Sequence, residues 1–137
     1  MPSRSENVTV SNVMTHKVRT GSPSLPLAEV WRILVKEGCH HLPILDDGLI
    51  VGIISTRDLV ELARQNGAKR LDSGYLENKT ASDIMTTTIE SVHQDESVEV
   101  AIDRIGPGEF HALLVIDEMD GLAGIVTHHD LLHYLAS

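Results

Sequence analysis

Apolar and polar positions follow two rhythms along this chain, and the rhythms recur in the same order. Lys17 to Thr20 and Thr88 to Ser91 are short, β-branched runs that predict a strand. Leu27, Val30, Trp31 and Leu34 then recur at spacings of three and four, which predicts an amphipathic helix. Ser24-Leu25-Pro26 signals its start. In the second copy Asp95 or Ser97 can cap the equivalent helix, where acidic neighbours are favourable. Two apolar runs follow, "HLPIL" and "LIVGII", parted by Asp46-Asp47-Gly48, a hairpin signal. "TRDLVELARQ" and "HHDLLHYLA" predict a second helix in each copy. The order in each copy is β-α-β-β-α.

Sliding the sequence on itself by 71 positions lays Val10 to Thr15 ("VSNVMT") on Ala81 to Thr86 ("ASDIMT"). Val18 falls on Ile89, His40 on His111 and Leu42 on Leu113. One residue of slip in the acidic turn then brings Gly52, Ile53, Asp58 and Leu59 onto Gly124, Ile125, Asp130 and Leu131. Agreement of apolar pattern, turns and polar residues marks a duplication. We expect an N-terminal arm (1–9), repeat 1 (10–65), a Gly-containing charged linker (66–79) and repeat 2 (80–137). Thr80 or Ser82 can cap a short helix leading into repeat 2. One repeat offers too small a sheet face to be stable alone. The predicted fold is therefore α+β, with two β-α-β-β-α repeats packed sheet to sheet about a pseudo-twofold axis. Repeat 2 departs from repeat 1 at "IGPGEF", where Pro107 should end its first helix by Ile105.

Composition narrows the function. Only four residues are Phe, Trp or Tyr, so Leu, Ile, Val and Ala must build the core. The formal net charge of -9 repels phosphate backbones, and no basic run offsets it, so no nucleic-acid partner is expected. No apolar stretch reaches about 18 residues, and the N-terminus lacks a signal core, so neither a membrane span nor export is expected. Cys39 is the single cysteine and fits a reducing, cytoplasmic setting.

The chemistry concentrates in "GIISTRDL" (Gly52 to Leu59) and "GIVTHHDL" (Gly124 to Leu131). Each places a hydroxyl and a carboxylate three residues apart at the start of a predicted helix. One reading is structural: Ser55 or Thr127 caps the helix, and the acid completes a capping-box pattern. The other is a ligand site. A helix N-terminus attracts phosphate, a hydroxyl can bond it, and a carboxylate can accept both hydroxyls of a ribose. The two readings are compatible. His129 and His133 share a helix face, but their counterparts Arg57 and Glu61 are ordinary solvent-facing residues, so no metal site is expected. Cys39-His40-His41 enters a strand and cannot converge on one ion. No nucleophile elbow, phosphate loop or catalytic acid pair is present, so the chain is not expected to be an enzyme.

With these motifs in order, the chain from about Val10 to Leu135 resembles a tandem pair of CBS domains, the Bateman module named after cystathionine β-synthase. The residues that carry the likeness are "VMT" and "IMT", "HHLPIL" and "HALLVI", and the two Ser/Thr-x-x-Asp turns. The resemblance implies a regulatory module that binds adenosine-containing ligands, AMP, ADP, ATP or S-adenosylmethionine, in a cleft between the repeats. It implies a homodimer, a separate effector protein, and no cofactor beyond the regulatory nucleotide. The alternative is a dimerisation or interaction domain whose ligand sites are vestigial. Carried onto this sequence, site 1 would use Ser55 and Asp58, with Val18, Arg19 and Thr20 on one side of the base and His41, Leu42 and Pro43 on the other. Site 2 would use Thr127 and Asp130, with Ile89, Glu90 and Ser91, and Ala112, Leu113 and Leu114. Around site 1 stand Lys17, Arg19, His41 and Arg57; the matching residues are Thr88, Glu90, Ala112 and His129. Arginine grips phosphate and glutamate repels it, so site 1 is expected to take the phosphorylated ligand.

Overall fold

The two copies of the Met-Thr segment do not stay with the repeats that they begin. The structure is a computed structural model that describes residues 8–67, 76–105 and 112–136. Its elements are α1 (Val10–Val13), α2 (Leu27–Trp31) running on into a π-helical turn (Arg32–Lys36), β1 (His41–Asp46), β2 (Leu49–Ser55), α3 (Thr56–Gln65), α4 (Ala81–Ile84), β3 (Ser91–His93), α5 (Val98–Ile105), β4 (Ala112–Ile116), β5 (Leu122–Thr127) and α6 (His128–Ala136). They cluster into a central unit, Arg19–Thr88, and a terminal unit in which the segment ending at Val18 joins the segment starting at Ile89. Met14-Thr15 thus folds with the strands of repeat 2, and Met85-Thr86 with those of repeat 1. The units cut across the boundaries read from the sequence.

In the central unit β1 and β2 form an antiparallel hairpin. Its turn is tight because Asp47 (φ 55°) and Gly48 (φ 82°) both take positive φ, the geometry that lets two residues join twisted strands. Thr86 bonds along the free edge of β2: its N–H donates to Ile53 O (2.9 Å), and the Ile53 N–H donates back to Thr86 O (3.0 Å). On the other edge Gly21 bridges Ile44 in parallel. Leu27, Val30, Ile33 and Leu34 of the first helix pack with Leu42, Ile44, Ile54, Leu59 and Leu62. Leu76 and Ala81 close the same core, so the last part of the segment read as a linker contributes to it. Thr80 caps α4, with its N–H donating to Asp83 Oδ2 at 2.7 Å.

The terminal unit repeats the design. β3 pairs in parallel with β4, and β4 antiparallel with β5. Thr15 bonds along β5, its N–H donating to Ile125 O (2.8 Å) and its carbonyl accepting from Ile125 N–H (3.0 Å). Val10, Val92, Val98, Ala101, Ile105, Leu113, Val115, Val126 and Leu131 form the core. Ser97 caps α5 by accepting from Glu99 N–H (3.3 Å). Even the strand irregularity is duplicated, at Ile44/Leu45 and at Val115/Ile116.

The predicted first strand needs correction in both repeats. In the terminal unit it lies at Ser91–His93 rather than Thr88 to Ser91. In the central unit Lys17 to Thr20 forms no strand, and the pairing reduces to the Gly21 bridge. Pro43 supplies the reason. Its counterpart Leu114 donates its N–H to Glu90 O (3.1 Å), which extends the parallel ladder. Proline has no N–H, so no equivalent bond reaches Arg19 O. The second helices span Thr56–Gln65 and His128–Ala136, as their apolar spacing predicts. Pro107 and His111 lie outside the described residues.

Candidate functional site

Both Ser/Thr-x-x-Asp turns are strand-to-helix junctions, and in both the acid reaches back over the turn. Ser55 ends β2, and its N–H donates to Asp58 Oδ2 at 2.7 Å, with the Ser55 hydroxyl 3.2 Å from the same oxygen. Thr127 ends β5 and does the same to Asp130 Oδ2, at 3.0 and 3.2 Å. Asp130 N–H also donates to the Thr127 hydroxyl (3.3 Å), which completes a reciprocal cap. The capping reading therefore holds for both turns, but it uses one oxygen of each carboxylate.

The other oxygen separates them. Thr15 Oγ1 donates to Asp130 Oδ1 at 3.0 Å, a contact made possible by the Thr15–Ile125 bridge beside it. Thr86 stands in the same relation to Ile53, yet among the described residues Asp58 Oδ1 accepts no hydrogen bond. A carboxylate oxygen has two lone pairs, so Asp58 retains capacity for two further donors on one atom and Asp130 for one.

Topology brings several of the remaining site 1 residues to the same end of the hairpin as the Ser55 turn. His41 pairs with Ser55 across the hairpin. The parallel bridge of Gly21 to Ile44 runs back toward the same end of β1, so Thr20 and Arg19 flank Pro43 and Leu42. Arg19, Thr20 and Arg57 are exposed. Lys17 and Val18, in contrast, belong to the terminal unit. At site 2, Ile89, Glu90 and Ser91 lead into or start β3, Ala112 pairs with Thr127, and His129 is exposed on the first turn of α6. Leu42 and Leu113 are 0% exposed and fill the two cores, so neither side chain can wall a ligand. Pro43 and Leu114 are buried as well. Only the backbone of such residues has a contact to offer.

The charge contrast read from the sequence is smaller in the structure. Arg19 is not free: its Nε lies 3.0 Å from Glu37 Oε1 and its Nη2 3.4 Å from Oε2. Glu37 is shared with Arg32 (3.2 Å), which also pairs with Glu29. In the terminal unit the signs reverse, with Glu90 3.8 Å from Arg104, whose guanidinium also donates to Ser91 O. Of these partners, Glu37 alone lies beyond a break in the 3.6-residue period by which apolar spacing places its helix. The π-helical turn breaks that period just before Glu37. Among the described residues, no group of three or more His, Cys, Asp or Glu is placed to hold a metal ion. No helix among them is long and apolar enough to cross a membrane.

Comparison with known proteins agrees with this duplicated architecture. The chain is 28% identical over 131 residues to the L-aspartate semialdehyde sulfurtransferase of Methanocaldococcus jannaschii, covering 95% of this chain but only 24% of that protein. It thus spans about a quarter of that relative's length. The CBS domain pair of protein MJ0100, solved in complex with 5′-methylthioadenosine and S-adenosyl-L-methionine, superposes with a TM-score of 0.79 at 27% identity, covering 94% of this chain and 96% of that one. CBSX2, solved in complex with AMP and known from Arabidopsis thaliana, superposes with a TM-score of 0.79 at 26% identity, covering 95% and 97%. The CBS domain family matches twice, over residues 10–64 and 81–137, and the chain belongs to that family as a tandem CBS-domain pair.

Proposed function

We propose that this chain is a regulatory sensor of adenosine-containing ligands, with its stronger site at the Ser55–Asp58 turn. The observation that carries the reading is the Oδ1 of Asp58, which accepts no hydrogen bond among the described residues, at a helix N-terminus and three residues from a hydroxyl. A ribose diol needs two acceptor positions and a 5′-phosphate needs N–H groups and positive potential, and this turn supplies both kinds. Two structurally similar CBS pairs hold AMP or 5′-methylthioadenosine and S-adenosyl-L-methionine, which supports the ligand class. His41, Arg57 and the backbone of Thr20 complete the site in this reading. The Thr127–Asp130 turn is the weaker site, because Thr15 already takes one of the two positions on its second oxygen. The chain senses rather than transforms its ligand and acts on a separate effector protein.

Calorimetry with AMP, ADP, ATP, S-adenosylmethionine and 5′-methylthioadenosine tests the reading. At least one should bind below millimolar concentration, and Asp58→Ala should abolish the tighter event while Asp130→Ala leaves it. Absence of any sub-millimolar binding sinks the sensor reading. Loss of the tight event in Asp130→Ala alone reverses the assignment.

A second reading, an interaction domain, draws on exposed apolar side chains: Val60 is 69% exposed, Leu132 64% and Leu135 57%. Leu59, Leu62 and Leu131 of the same helices are buried in the two cores. The remaining apolar residues are those a homodimer would cover, and dimerisation is compatible with sensing.

A further inference from the structure

We infer that Glu37 sets the selectivity of the Ser55–Asp58 site between phosphorylated and phosphate-free adenosine ligands, by competing with phosphate for Arg19. The inference rests on the adenosine reading above. Arg19 stands at the end of β1 where α3 begins, because Gly21 bridges Ile44 in parallel and His41 pairs with Ser55. A 5′-phosphate at the α3 N-terminus would therefore lie at the same end of the sheet as Arg19. Glu37 holds that arginine by two contacts, at 3.0 and 3.4 Å.

The placement of Glu37 follows from the backbone. Its N–H donates to Arg32 O (3.4 Å), a five-residue span that carries one residue more per turn than an α-helix. Gly38 follows at φ 75°, the left-handed conformation that ends a helix. Glu37 is thus presented at the helix end facing the segment that carries Arg19. Arg32 fixes it further at 3.2 Å and is itself held by Glu29 at 3.0 Å. The position matching Arg19 in the terminal unit is Glu90, paired with Arg104, so the arrangement is not a property of the repeat.

A guanidinium engages a carboxylate and a phosphate through the same planar fork. An incoming phosphate must displace Glu37 from Arg19 or sit beside its charge. Both oppose binding of the anion, and neither touches a ligand without phosphate. Arg19 and Glu37 are both partly exposed, at 50% and 34%, so the pair is worth the modest energy of a surface ion pair.

The test is calorimetric titration of AMP and of 5′-methylthioadenosine into the wild type, Glu37→Gln, Arg19→Gln and the double variant, each first checked by thermal melting. Glu37→Gln should bind AMP about two- to fivefold more tightly, the range a surface pair allows. Its affinity for 5′-methylthioadenosine should not change. In the Arg19→Gln background the gain should vanish, because the double-mutant cycle isolates the pair. A gain that persists without Arg19 reflects net charge alone and overturns the assignment. So does a Glu37→Gln protein whose AMP affinity equals the wild type's, or one that gains equally for both ligands. If neither ligand binds any variant, the adenosine reading itself fails and Glu37 falls with it.

Discussion

Replacing Gly124 by alanine should destabilise the chain far more than the equivalent change at Gly52. The two glycines are the same residue of the duplicated motif, each lying under a Met-Thr segment that bonds along the strand. A Cβ on Gly124 would sit 2.6 Å from Thr15 O and 2.7 Å from Met14 Sδ. A Cβ on Gly52 would sit 2.7 Å from Met85 Sδ, 2.9 Å from Met85 Cγ and 3.1 Å from Thr86 O. The difference lies in what must move. A methionine side chain can rotate away, and a carbonyl at 3.1 Å has to give by only a few tenths of an ångström. At Gly124 the obstacle is backbone, pinned by the reciprocal Thr15–Ile125 bonds and by Thr15 Oγ1 on Asp130.

Overpacking of this kind costs about 1–3 kcal/mol, and each weakened hydrogen bond adds about 0.5–1.5 kcal/mol. The loss of unfolded-state freedom on changing glycine to alanine returns about 0.4–1 kcal/mol. We expect a net cost of about 2–4 kcal/mol for Gly124→Ala and about 1 kcal/mol or less for Gly52→Ala. For a domain of this size each kcal/mol lowers Tm by about 3–4 °C, so the two variants should separate clearly. Urea titration and thermal melting give the two values. Adding Met85→Ala should relieve the strain in Gly52→Ala, whereas Met14→Ala should not relieve Gly124→Ala. Equal losses at the two glycines, or a Gly124→Ala protein within about 0.5 kcal/mol of the wild type, would refute the close-approach account.

Thr15→Val keeps the shape but removes the donor to Asp130 Oδ1, and should cost about 1 kcal/mol in urea melts, whereas Thr86→Val, with no such bond, should cost less. The Glu61 carboxyl is held below the ordinary glutamate range by its hydrogen bond to Arg64. A depressed carboxylate pKa stabilises above the unfolded value and loses that contribution as pH falls through the folded one, so Glu61→Gln should flatten the acid side of a Tm-against-pH curve below about pH 5. An unchanged slope there would show that the pair contributes nothing. Light scattering should give about 30 kDa for the wild type, twice the 15.0 kDa chain, and Leu132→Asp should shift it to the monomer; a monomeric wild type rules the dimer out.

Most of the local structure was legible because it depends on neighbours in sequence. The α3 and α6 bounds follow from apolar spacing and from Ser55 and Thr127, and the hairpin from Asp47-Gly48. What was not legible depends on partners far away. Val18 and Thr20 have the composition of a strand, but a parallel strand lives on donors from β1, and Pro43 withholds one. That consequence could have been drawn, since Pro43 stands in plain view in "HLPIL". The exchange of the Met-Thr segments could not. Because Val10 to Thr15 and Ala81 to Thr86 resemble each other, self-alignment says that they are equivalent but not which strand each one joins. The Arg19–Glu37 pair was hidden for a third reason: a helix read at a single period puts Glu37 on the wrong bearing after a π-helical turn.

In the proposed reading, the duplicated turn lets a structural signal and a functional one share the same residues. Capping and ribose binding compete only if both need the whole carboxylate, and here capping takes Oδ2 alone in both copies. The cap then does more than stabilise the helix. By bonding the backbone N–H of Ser55 or Thr127, it fixes the direction in which the second oxygen points, so a ligand of the proposed kind would meet an acceptor already oriented. Preorganisation of this kind reduces the entropy lost on binding. The same oxygen is where the copies diverge, and the divergence comes from the exchanged segment rather than from the motif. Thr15 reaches Asp130, whereas Thr86, bonded to Ile53 in the same way, leaves Asp58 open. Two turns with the same sequence pattern can therefore differ in what their carboxylates leave open, because the segment laid beside each turn belongs to the other repeat.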